Sequence, residues 1–224
     1  MKVAIIMAGP YRGNQTIIDN HLKIVGNYDT YVSCFEQYKE DWYKSNWPIK
    51  KIFTTPIIEF NKTKWSKHRN DEPGQSGFWQ FWNLKNVINN IEEDYDWYIR
   101  SRTDLVFTES NLVEHFFTTL EANTLYCPEF HFNGRDWDES LLNDQFYIGD
   151  SNTMNVISKF VTKYYNTNRH GPNDSMASNE RNLRTYLKEN NINVKKIYKL
   201  PYTKNHNGYT NVTGESGHYQ FESF

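Results

Sequence analysis

The alternation of short apolar strands with amphipathic helices predicts a three-layer α/β sandwich around a mostly parallel sheet. Three observations carry this. Val3, Ala4, Ile5, Ile6 and Met7 form the near-continuous apolar run of a strand buried on both faces. Phe78, Phe81, Trp82, Leu84, Val87, Ile88 and Ile91 recur three and four residues apart, the stripe of a helix over residues 77–92. That helix feeds directly into Tyr95, Trp97, Tyr98 and Ile99, a run of strand composition. No internal repeat or linker interrupts the pattern, so residues 1–200 read as one α/β domain and residues 201–224 as its tail or lid.

In chain order, the first strand ends in Ala8, Gly9, Pro10, Tyr11, Arg12 and Gly13, a turn before Ile17, Ile18, His21, Leu22 and Val25 at helical spacing. Glycine lets a backbone approach a ligand, and Arg12 adds a planar cation suited to phosphate. A βα turn with a surface arginine explains the same stretch equally well. No G-x-G-x-x-G is present, which excludes a dinucleotide fingerprint. A second strand covers residues 28–35 and a third residues 50–54, with a Trp-containing helix or loop between them. Residues 57–77 lack clean periodicity and read either as a loop over the site, carrying Trp65, His68, Arg69, Asp71 and Glu72, or as a disordered connection.

The stretch 95–107 passes from aromatic residues into Arg100, Arg102 and Asp104. Strand side chains alternate faces, so Trp97 and Ile99 point one way and Tyr98, Arg100 and Arg102 the other, gathering charge where the strand ends. Such a cluster suits a phosphate and its metal; a surface ion pair is the plainer alternative. Ser110 then caps a short helix, residues 124–128 form a strand, and a polar loop covers residues 129–140. Asn143 and Asp144 precede the apolar Phe146, Tyr147 and Ile148, and Asp150 or Ser151 caps a helix with Met154, Ile157, Phe160, Val161 and Tyr164 on its buried face. This places Asp144 between loop and core, before a helix whose N-terminus is expected at the ligand-binding edge; a capping or turn role is the plainer alternative for this aspartate. Glu180 falls in the first turn of a last helix, where the dipole favours a carboxylate with or without a site. Residues 194–200 form the last strand. The remainder, with His206 and His218, is either a flexible tail or a lid over bound substrate.

Composition narrows the classes. The 224 residues are 38% hydrophobic, enough for one sizeable core, and 17% aromatic, a load that fills a core or lines a groove for sugars and bases. A net charge of −2 with scattered Lys and Arg argues against nucleic acid as a partner. No window reaches the length of a transmembrane helix. Cys34 and Cys127 lack metal spacing and fit buried thiols in a reducing compartment, which makes the cytoplasm the expected location.

The Gly/Arg loop after the first strand, the segment Ile99, Arg100, Arg102, Asp104 and Leu105, the run from Asn143 to Gly149 before a helix, and Glu180 with Leu183 resemble, in that order, small sugar-nucleotide glycosyltransferases of the A-type fold. Such enzymes are found in surface-polysaccharide clusters and in large DNA viruses. The resemblance spans residues 2–200. It implies a nucleotide-diphospho-sugar transferase-like sandwich, a nucleoside-diphosphate sugar as donor and a glycan or other hydroxyl as acceptor. It implies donor contacts from Gly9, Arg12, Arg100 and Arg102, a Mn²⁺ or Mg²⁺ ion on Asp104, and catalytic work by Asp144 with Glu180 behind it. The family's Asp-x-Asp is matched here by Arg102, Thr103 and Asp104, so the first acid is missing.

Overall fold

The computed structural model describes residues 1–58, 77–107, 119–128, 146–166, 179–197 and 202–204. In chain order its elements are β1 (Val3–Ala8), α1 (Gln15–Ile24), β2 (Asp29–Cys34), α2 (Glu36–Lys44), β3 (Ile49–Thr54), α3 (Gly77–Asn90), β4 (Trp97–Ser101), β5 (Leu105–Phe107), β6 (Thr124–Pro128), β7 (Tyr147–Asp150), α4 (Ser151–Asn166), α5 (Asn179–Glu189), β8 (Asn193–Ile197) and β9 (Tyr202–Lys204). Seven strands form one sheet in the order β3-β2-β1-β4-β7-β6-β8. Only β7 runs against the others in that sheet, pairing antiparallel with both β4 and β6. The expected three-layer, mostly parallel sandwich is the observed fold.

The sheet's two faces carry separate cores, and the period-2 alternation of β1 shows why. Ala4 and Ile6 face one way and pack with Phe78, Phe81 and Val87 of α3, Met154 and Phe160 of α4, and Leu183 of α5. Val3, Ile5 and Met7 face the other way, towards Ile18 of α1 and Trp42 of α2. On β4 the same alternation puts Tyr98 in the first core and Ile99 in the second, as the sequence predicts. The aromatic stripe of α3 is core, with Phe81 edge-on to Phe160 at 4.8 Å between centroids. Cys34 and Cys127 are buried free thiols in different cores, and burial pushes the Cys34 thiol up to about 12.

Helix starts follow capping chemistry. Asn14 Oδ1 accepts the Ile17 N–H at 3.0 Å at the start of α1. Asp150 Oδ1 accepts the Thr153 N–H at 2.8 Å at the start of α4, the cap expected there. The edge at which α4 begins differs from expectation. Because β7 is antiparallel, Asp150 lies opposite Trp97 and Tyr147 opposite Arg100. The N-terminus of α4 therefore sits at the amino-end edge of the parallel strands, away from their carboxyl ends.

Two further features go beyond the sequence reading. The run 95–107 is not one strand: β4 ends at Ser101, and Leu105–Phe107 form β5 in a separate two-stranded sheet. Its partner is β9, so three residues of the expected tail are paired antiparallel, with Leu105 opposite Lys204. Residues 59–76 of the expected loop over 57–77, the helix expected after Ser110, Asp144, His206 and His218 lie outside the described residues.

Candidate functional site

The sheet order reverses beside β1. From β1 the chain builds outwards through β2 and β3, then crosses by α3 to β4 on the other side of β1. At such a switch point the loops after the two central strands diverge and leave a crevice outside their carboxyl ends. Here those loops are residues 9–14 and 102–104, the two stretches singled out in the sequence.

The first loop is built on Gly9. Its φ of 107° lies in the region L side chains avoid, so conformation demands the glycine even though an added Cβ would meet nothing within 4 Å. Its N–H donates to the Ser33 carbonyl at 2.8 Å, and its carbonyl accepts from Trp42 Nε1 at 3.0 Å, which ties the loop to β2 and α2. Tyr11 packs on Trp42 with ring centroids 5.4 Å apart.

The second loop is pinned at three points. The Arg12 N–H donates to Thr103 Oγ1 at 2.9 Å, joining the two loops directly. His21, fully buried on α1, has Nε2 2.6 Å from Ser101 Oγ, and burial lowers its pKa to about 3, so the imidazole is neutral. Asn20 pairs with the backbone of Phe107 as a strand would: its amide donates to the carbonyl and its Oδ1 accepts the N–H, each at 2.8 Å. Residues 101–107 are thus held by α1 on one side and β9 on the other.

Within that frame Arg102 forks onto Asp104. Nε donates to Oδ1 at 2.8 Å and Nη2 to Oδ2 at 2.5 Å, a bidentate charge-assisted pair. The Arg102 side chain is 16% exposed and that of Asp104 1%, so the guanidinium covers the carboxylate. Arg12 stands close enough for both charges to act on it. Its pKa is lowered first by desolvation and then by Arg102, with Asp104 and the Tyr38 hydroxyl opposing, although part of its side chain remains exposed.

Arg12, Arg102, Asp104 and Gly9 are therefore brought to the adjoining loops at the carboxyl ends of β1 and β4. Arg100 lies one strand step below, 1% exposed, with its guanidinium carbon 5.9 Å from the Tyr147 ring centroid. Glu180 belongs to α5, which packs on α4 and β8, and β8 is separated from β4 by β6 and β7. Its side chain and all of Asp144 lie outside what is described; β7, which follows Asp144, begins opposite Arg100 at the crevice edge. Thr103, Asn20, Ser101 and His21 were not legible as parts of the site. His21 was visible only as a member of the buried stripe of α1, and the others are small polar residues whose partners lie 80 or more positions away.

The arrangement is an α/β sandwich with two arginines and an aspartate on the loops at its switch point. No protein-family model matches the chain, and no curated protein matches its sequence. Among solved structures it is similar to 4-diphosphocytidyl-2C-methyl-D-erythritol synthase from Anaerococcus prevotii, at 8% identity and a TM-score of 0.49 over 88% of this chain and 86% of that one. It is also similar to CMP:2-keto-3-deoxy-manno-octonic acid synthetase complexed with CTP, at 13% identity and a TM-score of 0.45 over 88% and 89% of the two chains. Among the described residues no helix is long and apolar enough to cross a membrane.

Proposed function

We propose that the protein is a glycosyltransferase that moves a sugar from a nucleoside-diphosphate sugar to a hydroxyl of a glycan or another acceptor in polysaccharide biosynthesis. The observation that carries this reading is the meeting of Arg12 and Arg102 on the adjoining loops after β1 and β4, beside the glycine turn at Gly9. In transfer by a single displacement the acceptor oxygen bonds to the anomeric carbon as the bond to the β-phosphate oxygen breaks. The electron pair leaves with the nucleoside diphosphate, and a base takes the hydroxyl proton. Preorganised guanidiniums serve the charge that develops on the leaving group. Asp144 is assigned as the base, on the segment entering β7, with Glu180 second and Arg100 supporting the diphosphate from below.

The resemblance also implies Mn²⁺ or Mg²⁺ on Asp104. Both oxygens of that carboxylate already accept from Arg102, and the described residues contain no group of three or more His, Cys, Asp or Glu able to hold an ion. With both oxygens of Asp104 turned onto Arg102, the described donor set does not fit a divalent cation.

Incubation with a panel of nucleotide sugars, followed by measurement of nucleoside diphosphate release with and without glycan acceptors, tests the reading. Acceptor-dependent release is expected. Asp144→Asn should lower transfer by about a hundred- to ten-thousand-fold at near-wild-type donor affinity, the loss of a positioned base. Binding without release for every donor and acceptor would instead indicate a noncatalytic carbohydrate- or nucleotide-binding module.

A further inference from the structure

β5 is anchored without help from its strand partner. Its side chains Leu105 and Phe107 are buried in the second core, and the Phe107 ring meets His21 and Phe146 edge-on, with centroids 5.2 Å and 5.4 Å away. Asn20 of α1 takes both the N–H and the carbonyl of Phe107, each at 2.8 Å. These anchors come from α1 and from the residue entering β7, so they hold β5 whether or not β9 is docked.

β9 is attached differently. Among the described residues it pairs with β5 alone, antiparallel, over three positions, with Thr203 opposite Val106. Along a strand the backbone groups of successive residues point to opposite edges, so an antiparallel ladder alternates hydrogen-bonded with unbonded pairs. Phe107 turns its N–H and carbonyl to Asn20, Leu105 turns its own to the same side, and Val106 is left as the residue of β5 that faces β9. Val106 and Thr203 are therefore the hydrogen-bonded pair of these three positions. A two-stranded ribbon this short is marginal by itself in water, and an edge pairing opens at far lower free energy than a packed core.

From this we infer that β9 is a releasable strap: it detaches from β5 as its own unit while the domain stays folded, and leaves behind a preformed strand edge at Val106. β9 runs towards the turn between β4 and β5, because Lys204 stands opposite Leu105, the residue after Asp104. Docking brings the chain at Lys204 to the flank of residues 102–104, and release withdraws it. An unpaired edge is a template for any extended segment, so the docked strap also closes β5 to strands of other molecules. The inference concerns the backbone of β5 and β9 and stands apart from what the turn binds.

The test is amide hydrogen exchange of the full chain, followed residue by residue by NMR across sub-denaturing urea. The Val106 and Phe107 amides are neighbours with different partners, Thr203 for one and Asn20 for the other. After correction for intrinsic rates, Val106 should exchange about a hundredfold or more faster than Phe107, with little dependence on urea, because detaching three residues exposes little surface. Thr203→Pro removes the N–H of the pair; it should bring Val106 close to the rate of an open amide, leave Phe107 protected and shift Tm by less than about 2 °C. Equal protection of Val106 and Phe107 with the same urea dependence, or a Thr203→Pro chain that does not fold, makes β9 part of the domain's cooperative unit and overturns the inference. Protection of Val106 that grows with protein concentration assigns the edge to β9 of a second copy and overturns docking within one chain. No nucleotide enters these measurements, so their failure leaves the proposed transfer standing.

Discussion

Gly13→Ala is a sharp perturbation of the crevice because it adds one carbon between the two loops. A Cβ at position 13 would lie 2.8 Å from the Thr103 carbonyl oxygen and 3.2 Å from both Cε2 and the hydroxyl oxygen of Tyr11. The tyrosine ring can turn away, but the carbonyl belongs to the pinned turn. Restoring an ordinary contact of 3.4 Å requires the loops to part by about 0.6 Å. Overpacking of this kind costs about 1 to 3 kcal/mol, and a domain of this size loses roughly 2 to 4 °C in Tm per kcal/mol. The same movement separates Arg12 from Arg102, and since a misplacement of about 1 Å can cost a hundredfold, nucleoside diphosphate binding should weaken by about tenfold. The measurements are thermal unfolding and calorimetric titration. Gly149→Ala is the control: its Cβ would lie 2.9 Å from the Thr153 methyl, a comparable crowding, but opposite Tyr98 near the amino-end edge. It should lower Tm and leave affinity alone. If Gly13→Ala lowers Tm without changing affinity, the spacing of Arg12 and Arg102 does not govern binding. If it changes neither, the loops do not meet.

The remaining predictions concern pH. His21 is held neutral with a pKa near 3 against an ordinary 6.5, so the unfolded chain binds its proton first and stability falls as pH drops below 6.5, by up to about 1.4 kcal/mol per pH unit. His21→Gln should flatten the dependence between pH 6.5 and 4.5, where carboxylates contribute little; an unchanged slope in denaturant titrations would refute the burial argument. At the amino-end edge, Glu93 pairs with Lys2 at 2.7 Å and with Lys50 at 2.5 Å, and these contacts lower its pKa from 4.5 to about 2. Its contribution is present above pH 4.5 and lost as pH falls towards 2, so Glu93→Gln should show a shallower loss of Tm across that window at low salt. Identical acid limbs for variant and wild type would show that this exposed network adds nothing.

The sequence by itself determined what depends on local periodicity. Apolar alternation and three-four spacing located β1 to β4 and α1, α3, α4 and α5, and the Gly/Arg turn and the charged strand end marked the two loops that meet. Gly9 was readable as a turn glycine and Asp150 as one of two candidate caps because both roles are settled within a few residues. Strand direction and side-chain pairing are not local quantities. Nothing in Tyr147, Ile148, Gly149 and Asp150 announces that β7 runs antiparallel, and that reversal alone moves the start of α4 to the far edge. The split of 97–107 into two sheets was hidden because Leu105, Val106 and Phe107 have strand composition whichever partner they take, and the partner, β9, lies about a hundred residues on. Arg102 and Asp104 were both identified as charges at a strand end. Only the turn of the backbone after Ser101 decided that they would face each other and that the arginine would lie outermost. Tertiary structure decided this because a two-residue spacing fixes neither which way a guanidinium turns nor which of two opposite charges is buried, whereas the contacts of Thr103, Ser101 and Phe107 with α1 and the first loop fix the turn that does.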